Sequence, residues 1–306
     1  MPELPDICAY REALALRIDG TRLEKVRLAN PFLLRSVEPP LGACEGQRVR
    51  GVRRLGKRIV LELEDELFLV LHLMIAGRLR WLERGAKLPG KLGLAAFDFE
   101  RGTLVLTEAG TKRRASLHVV RGASALAAHE RGGVELLECS QTEFEAALAR
   151  ENHTLKRALT DPRLFSGIGN AYSDEILHRA RLSPLQWTSR LEPGERARLF
   201  EAARGVLGEW VAKFVGQARL RWPEKVTAFR DEMAVHGKFG KPCPVCAEPV
   251  QRIVYAENEC NYCARCQTEG RLLADRALSR LLHGDWPRTL EELEELRGRG
   301  PGINPA

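Results

Sequence analysis

Phe165-Ser166-Gly167-Ile168-Gly169-Asn170-Ala171-Tyr172-Ser173-Asp174-Glu175-Ile176-Leu177 decides how the middle of the chain is read. Two glycines one residue apart let the backbone turn tightly, and Asn170 is a favoured helix N-cap. The N–H groups of a helix starting there point outward with its positive dipole end, an arrangement that accepts a phosphate. Just upstream, Leu155-Lys156-Arg157-Ala158-Leu159-Thr160 forms a short basic helix ending before Pro162. Lys156 and Arg157, brought alongside, would strengthen the grip on an anion. An ordinary glycine turn between two helices accounts for the same residues almost as well.

On either side the patterning changes. Helical segments are predicted over Gln141–Arg150, His153–Thr160, Ala171–Ala180 and Pro193–Phe214, and a leading helix over Leu4–Ile18, where Ile7, Leu14 and Ile18 fall at helical spacing. Between Arg22 and about Val120 the chain reads as short strands. Lys57 to Glu64 alternates cleanly, as does much of Leu67 to Arg80, with glycines at 46, 51, 56, 77, 93, 102 and 110 as punctuation. This gives an α+β multidomain chain: a β-rich sandwich or barrel behind its helix (1–132), a helical domain (133–237), a cysteine module (238–273) and a tail (274–306) holding a marginal helix from about Leu290 and a frayed end. No internal repeat is visible.

Five of the eight cysteines lie between residues 243 and 266. Cys243-Pro244-Val245-Cys246 and Cys263-Ala264-Arg265-Cys266 are two C-x2-C turns separated by sixteen residues, the spacing of a hairpin that closes four thiolates around one structural Zn2+. Cys260 with Cys263 has the same spacing; Cys263 and Cys266 are the preferred pair, with an iron–sulfur centre as a minor alternative. The module has too little apolar content for a core of its own and needs its metal to fold. With all four positions filled, such a zinc has none left for catalysis. Cys8, Cys44 and Cys139 read as small buried residues.

A net charge of +7 over 306 residues favours an anionic partner. No run approaches the roughly 18 apolar residues of a membrane span, and Met1-Pro2-Glu3-Leu4-Pro5-Asp6 has neither the basic start nor the apolar core of an export signal. The chain is therefore expected to work in the cytoplasm, at the nucleoid if bacterial, as a monomer with no membrane partner. Pro2 with its acidic neighbours suits a helix start. Removal of Met1, expected before a small residue, would also leave Pro2 with a free secondary amine. An amine near its reference pKa of about 8 has a useful neutral fraction. It can attack an anomeric sugar carbon and leave an iminium.

Three stretches together resemble the formamidopyrimidine-DNA glycosylase / endonuclease VIII family: the N-terminus Met1 to Pro5, the Gly-Ile-Gly-Asn-x-Tyr-x-Asp-Glu core standing here as Gly167 to Glu175, and the finger ending Tyr262-Cys263-Ala264-Arg265-Cys266-Gln267. They come in the right order and the likeness covers about residues 1 to 270. The resemblance implies a two-sheet domain with a leading helix, a helix–two-turns–helix domain and a zinc hairpin, with damaged DNA in the cleft between them and the base extruded from the duplex. It implies a base-excision-repair glycosylase with abasic-site lyase activity, acting through a Schiff base on Pro2 and β/δ elimination, with Glu3 moving protons. It assigns phosphate contacts to Lys57 and His72, backbone anchoring to Lys156 and Asn170, and support of the site to Glu175. The same residues also allow a damage-binding member of the fold with weak or no catalysis.

The chain departs from the family pattern in four places. Asp6 stands for a glutamate. The family's His-Leu-Gly-Met-x-Gly reads His72-Leu73-Met74-Ile75-Ala76-Gly77, so either Ile75 or Met74 takes the wedge position. The aromatic-bearing wedge loop is replaced by Glu108 to Ala115, in which Lys112 and Arg113 read as non-specific phosphate contacts. The finger arginine falls on Asn258, which lacks a guanidinium fork, leaving Arg252 as the candidate substitute. Together with a short Trp222–Lys238 segment, these changes point to a preference other than 8-oxoguanine: formamidopyrimidines, oxidised pyrimidines or abasic sites.

Overall fold

The computed structural model describes residues 1–110, 112–255, 258–274 and 287–299, and they form two compact units. The first holds residues 1–133 and 207–228. It begins with α1 (Leu4–Ile18), as the periodicity predicts. Eight strands follow: β1 (Leu23–Leu28), β2 (Val49–Leu55), β3 (Arg58–Leu63), β4 (Leu67–His72), β5 (Gly77–Leu82), β6 (Gly93–Phe99), β7 (Gly102–Glu108) and β8 (Ser116–Arg121), then the short α2 (Ala123–Ala127). The strands make two antiparallel sheets, ordered β1-β6-β7-β5 and β2-β3-β4-β8. One face of α1 (Ile7, Tyr10, Leu14, Ile18) shares a core with Ile59, Leu61, Leu69 and Leu71 of one sheet and Leu79, Phe97, Phe99 and Leu104 of the other. Burial of each such side chain contributes about 1.5–3 kcal/mol.

The alternating run from Leu67 to Arg80 proves to be two strands that join different sheets. The break is a turn at 73–76, and Gly77 is required after it: a Cβ there would sit 2.3 Å from the Leu73 carbonyl oxygen. Trp222 is drawn into the same core, donating through Nε1 to the Leu79 carbonyl at 3.1 Å while Tyr10 accepts from the Leu79 N–H at 3.3 Å.

The second unit holds residues 134–206 and 229 onward. Its helices are α3 (Gln141–Ala149), α4 (Leu155–Thr160), α5 (Asn170–Ala180) and the start of α6 (Pro193–Leu220). Ser140 and Glu143 cap α3 reciprocally, worth about 1 kcal/mol. Helix α6 runs six residues past the predicted Phe214, since nothing in Val215-Gly216-Gln217-Ala218-Arg219-Leu220 stops it before Pro223. The hairpin of β9 (Gln251–Tyr255) and β10 (Asn258–Tyr262) leads into α7 (Ala264–Thr268) and, later, α8 (Leu290–Arg299). Two small apolar clusters pack around the hairpin, one with Ile253, Cys260, Tyr262 and Leu272, the other with Val235, Val250, Cys243 and Cys263. The expected frayed end lies outside the described residues. No described helix is long and apolar enough to cross a membrane.

Candidate active site and metal centre

The first site is built on the start of α1. Glu3 caps the helix, and the Asp6 carboxylate accepts from the Glu3 N–H at 3.0 Å. An aspartate, shorter than the family's glutamate, suits this reach of three residues. Pro2, Glu3 and Asp6 are all buried. Burial lowers the pKa of the Met1 amine below its ordinary value of 8.0; Glu3 and Asp6 oppose that shift, and Arg78 and Lys57 add to it. Lys57 lies on the two-residue connection from β2 to β3, where Gly56 takes φ +59, the backbone a tight hairpin asks of its first residue. Burial lowers the Lys57 pKa too, with Glu3 pulling the other way. Amine, Glu3, Asp6 and Lys57 are thus electrostatic neighbours.

Arg78 is the member that sequence reasoning missed. Its guanidinium donates to the carbonyls of Val226 (2.7 Å), Gly77 (2.7 Å) and Ile75 (3.1 Å), which fixes a positive charge beside the amine. Its one sequence signal is the alternation of Gly77-Arg78-Leu79-Arg80-Trp81. His72 ends β4, and burial plus nearby cations, Arg58 first, lower its pKa to about 4, so the ring is neutral. In the turn that follows, Met74 occupies φ +51, a left-handed backbone that explains the family's glycine there. Ile75 at the tip is 52% exposed, and Met74 beside it is half-buried. After β7, the Glu108 carboxylate accepts from the N–H groups of Arg114 (3.1 Å) and Ala115 (3.2 Å) and ties the replacement loop down. Lys112 and Arg113 are exposed on it, the Arg113 guanidinium donating to the Lys91 carbonyl.

In the second unit the sulfurs of Cys243, Cys246, Cys263 and Cys266 all lie within 4.8 Å of one another. Cys243 and Cys266 are 3.9 Å apart, and Cys246 and Cys263 are 3.3 Å apart. A tetrahedron with metal–sulfur bonds of about 2.3 Å has edges of about 3.8 Å, so the donor set fits one ion. Cys260 is excluded, because its side chain belongs to the apolar cluster under the hairpin. His178 Nε2, from α5, stands 3.3 Å from the Cys243 sulfur, placed to donate to a thiolate.

The central glycine motif differs from its reading. Gly167 makes the turn at φ +82, but the N-cap is Gly169, and Asn170 is the first helical residue. Its amide instead donates to the Glu259 carbonyl at 2.7 Å, holding α5 to the hairpin. Lys156 Nζ donates to the Asn170 carbonyl (2.7 Å) and to Asp174 Oδ1 (2.5 Å). Asp174 is fully buried, and its other oxygen meets His236 Nδ1 at 2.8 Å and Asn261 Nδ2 at 3.4 Å. Glu175 accepts three backbone N–H groups, from Ala234, Val235 and His236, at 2.8–2.9 Å. Arg252 lies 4.4 Å over the Phe239 ring and 3.8 Å from Glu259. Asp174 and His236 went unassigned in the sequence because 62 residues separate them.

Residues 1–117 match the formamidopyrimidine-DNA glycosylase N-terminal domain, and residues 135–219 match the formamidopyrimidine-DNA glycosylase H2TH domain. The chain is 34% identical over 278 residues to the formamidopyrimidine-DNA glycosylase of Thermus thermophilus, covering 88% of this chain and 100% of that one. The crystal structure of the MutM (Fpg) protein from the same organism is similar with a TM-score of 0.75 at 33% identity, over 87% of this chain and 98% of that one. A structure of MutM in complex with DNA containing carbocyclic 8-oxo-G shares the fold, with a TM-score of 0.77 at 24% identity over 87% of this chain and 100% of that one.

Proposed function

The chain belongs to the formamidopyrimidine-DNA glycosylase family, and from that premise we propose that it excises damaged bases from DNA with Pro2 as nucleophile and then cuts the strand at the abasic site. The observation that carries this reading is the setting of the N-terminus: Pro2 is buried beside the Met1 amine, whose pKa burial lowers and whose charged neighbours are Glu3, Asp6, Lys57 and Arg78. Once Met1 is removed, the secondary amine of Pro2 takes that place. Its lone pair attacks the anomeric carbon, and the glycosidic electron pair leaves with the base, which takes up a proton. Glu3 moves that proton and opens the sugar ring to the iminium. The iminium acidifies the adjacent sugar C–H, and loss of that proton expels the 3′ phosphate by β elimination, with δ elimination following. Lys57, a cation on a rigid turn, holds the phosphate beside the lesion.

Ile75 is the side chain available to fill the space of the extruded base. The four thiolates would hold one zinc as a fold element; the ion supplies no step. Lys156, Asn170, Glu175 and Arg252 act through the frame they build rather than by direct outward contact. Arg252 is spent on Phe239 and Glu259, so the finger's grip differs from the family pattern. This favours formamidopyrimidine, oxidised-pyrimidine or abasic substrates over 8-oxoguanine.

Borohydride trapping on lesion-bearing oligonucleotides, single- and double-stranded, tests the reading. Wild-type protein is expected to form a covalent adduct, and Pro2→Gly is expected to lower the yield at least a hundredfold. Damage-selective binding with no adduct would make the chain a recognition protein without chemistry. Fully active protein that still carries Met1, seen by mass spectrometry, would remove Pro2 from the mechanism.

A further inference from the structure

Strand β5 is the last in its sheet, and what lies along its open edge is not a strand. A bare edge leaves N–H and C=O groups unpaired. At Leu79 both are answered by side chains, the N–H donating to the Tyr10 hydroxyl at 3.3 Å and the carbonyl accepting from Trp222 Nε1 at 3.1 Å. One residue earlier, Arg78 Nε donates to the Val226 carbonyl at 2.7 Å, across 148 residues of chain. Trp222 and Val226 are both buried in the core that α1 shares with the sheets. The segment after α6 is thus tied to the start of β5.

The turn before β5 needs outside support. The Gly77 N–H closes it on the Leu73 carbonyl at 2.9 Å, but Met74 inside it takes φ +51, a backbone that a residue with a Cβ adopts only at a cost. Ile75, next in line, is exposed, so its side chain does not anchor the tip. Arg78 supplies the tie: Nη1 donates to the carbonyls of Ile75 at 3.1 Å and Gly77 at 2.7 Å. One planar group therefore joins the tip of the turn, its foot and the segment after α6. The loop that follows β7 runs alongside, since a Cβ on Gly110 would stand 3.4 Å from that of Ala76. The acceptors of Arg78 are all neutral carbonyls, and it makes no ion pair among the described residues. Its charge is not cancelled locally and is felt at the Met1 amine and at Tyr10. A lysine there keeps the charge but not the rigid fork.

We propose that Arg78 is a positioning residue, holding the 73–76 turn against the segment after α6 so that Ile75 is presented to a duplex already set for insertion. The inference rests on the reading of Ile75 as the side chain that fills the space of an extruded base, and names what aims it. A preset turn matters where a base must be drawn out of a stack, and adds little where the base is already unstacked. Duplex and single-stranded substrates therefore separate aiming from chemistry, and lysine and leucine at position 78 separate fork from charge.

The test uses Arg78→Lys, Ile75→Ala and the double variant in the full chain, with two readouts. One is the borohydride trapping rate on the same lesion in duplex and in single-stranded form. The other is the fluorescence of 2-aminopurine opposite a tetrahydrofuran site in a duplex, which brightens when that base is unstacked and needs no chemistry. Arg78→Lys is expected to lose about tenfold more trapping rate on duplex than on single strand, the worth of one charged hydrogen bond, together with most of the brightening. Ile75→Ala is expected to do the same, and the double variant to lose no more than the larger single loss, because both act through one turn. The acid limb of trapping is expected to hold its wild-type position in Arg78→Lys, unlike in Arg78→Leu. Equal losses on both substrates would reduce Arg78 to support of the fold, and fully additive losses would detach it from the turn; either result overturns the proposal. Normal wild-type trapping with no duplex defect in the variants sinks only this inference. Brightening that depends on Arg78, in protein that never traps, sinks only the Pro2 mechanism.

Discussion

The site at the start of α1 and the Lys156–Asp174–His236 assembly both take ions out of water, and they treat them in opposite ways. Around Asp174 every ion is answered: three donors reach the carboxylate at 2.5, 2.8 and 3.4 Å, and next door Glu175 meets three N–H groups. At the terminus, the amine and Lys57 share two carboxylates with Arg78, and burial lowers both pKa values. The first arrangement spends its electrostatics on rigidity and holds loop, helix and hairpin in one frame. On the proposed mechanism the second would keep a nitrogen lone pair available for chemistry. Damage to the Asp174 assembly should show as lost stability, and damage to the terminus as lost chemistry.

The largest expected effect is on the thiolate side of the rigid unit. Cys246→Ser, or a strong chelator, should abolish cooperative unfolding of residues 134–206 and 229–299, since structural zinc sites contribute on the order of 10 kcal/mol; hydrogen exchange that leaves β9 and β10 as protected as before would contradict it. Next, Asp174→Asn strands Lys156 and His236 in a buried setting and should cost about 3–5 kcal/mol in urea unfolding. A loss below about 1 kcal/mol would mean that the assembly is not the strut described here.

The terminus is probed by pH. Burial lowers the pKa of the amine at Met1; on the proposed mechanism the Pro2 amine takes over that setting, so trapping is expected to rise with pH along an acid limb displaced downward by burial. Asp6 stabilises the protonated amine, so Asp6→Asn should move that limb to lower pH, and Arg78→Leu should move it up, each read from trapping rates between pH 5 and 9. A limb that ignores both substitutions would assign the titration to another group. The smallest effect is expected at the wedge turn. Met74→Gly relieves a left-handed backbone worth about 1 kcal/mol and should raise the melting temperature by a few degrees; an unchanged or lower value would show that the turn is not strained.

Local physics made some of this molecule readable from residues alone. Helix α1 ends where its periodicity says, because its cap and its stop lie within the segment. The four ligand cysteines follow from two short spacings. Cys260 needed the hairpin register, which turns it inward with Ile253 and Tyr262. The glycine motif misled at one point: Asn170 fits an N-cap by propensity, yet Gly169 takes the extended cap backbone, and Asn170, one residue into the helix, gives its amide to the Glu259 carbonyl 89 residues away. Arg78, Asp174 and His236 stayed invisible for the same reason. The partners that give them their setting lie far along the chain, Val226 and the N-terminus for Arg78, and His236 and Asp174 for each other, on elements whose pairing no local pattern encodes.

The reciprocal bonds between Glu3 and Asp6 carry a practical corollary for anyone producing this protein. They anchor the first residues against fraying, so the position of the amine is set by the helix and not by a loose leader. If the proposed Pro2 chemistry holds, a tag fused ahead of Met1 turns that amine into an amide beside buried side chains, and the tagged protein is expected to fold but give no borohydride adduct.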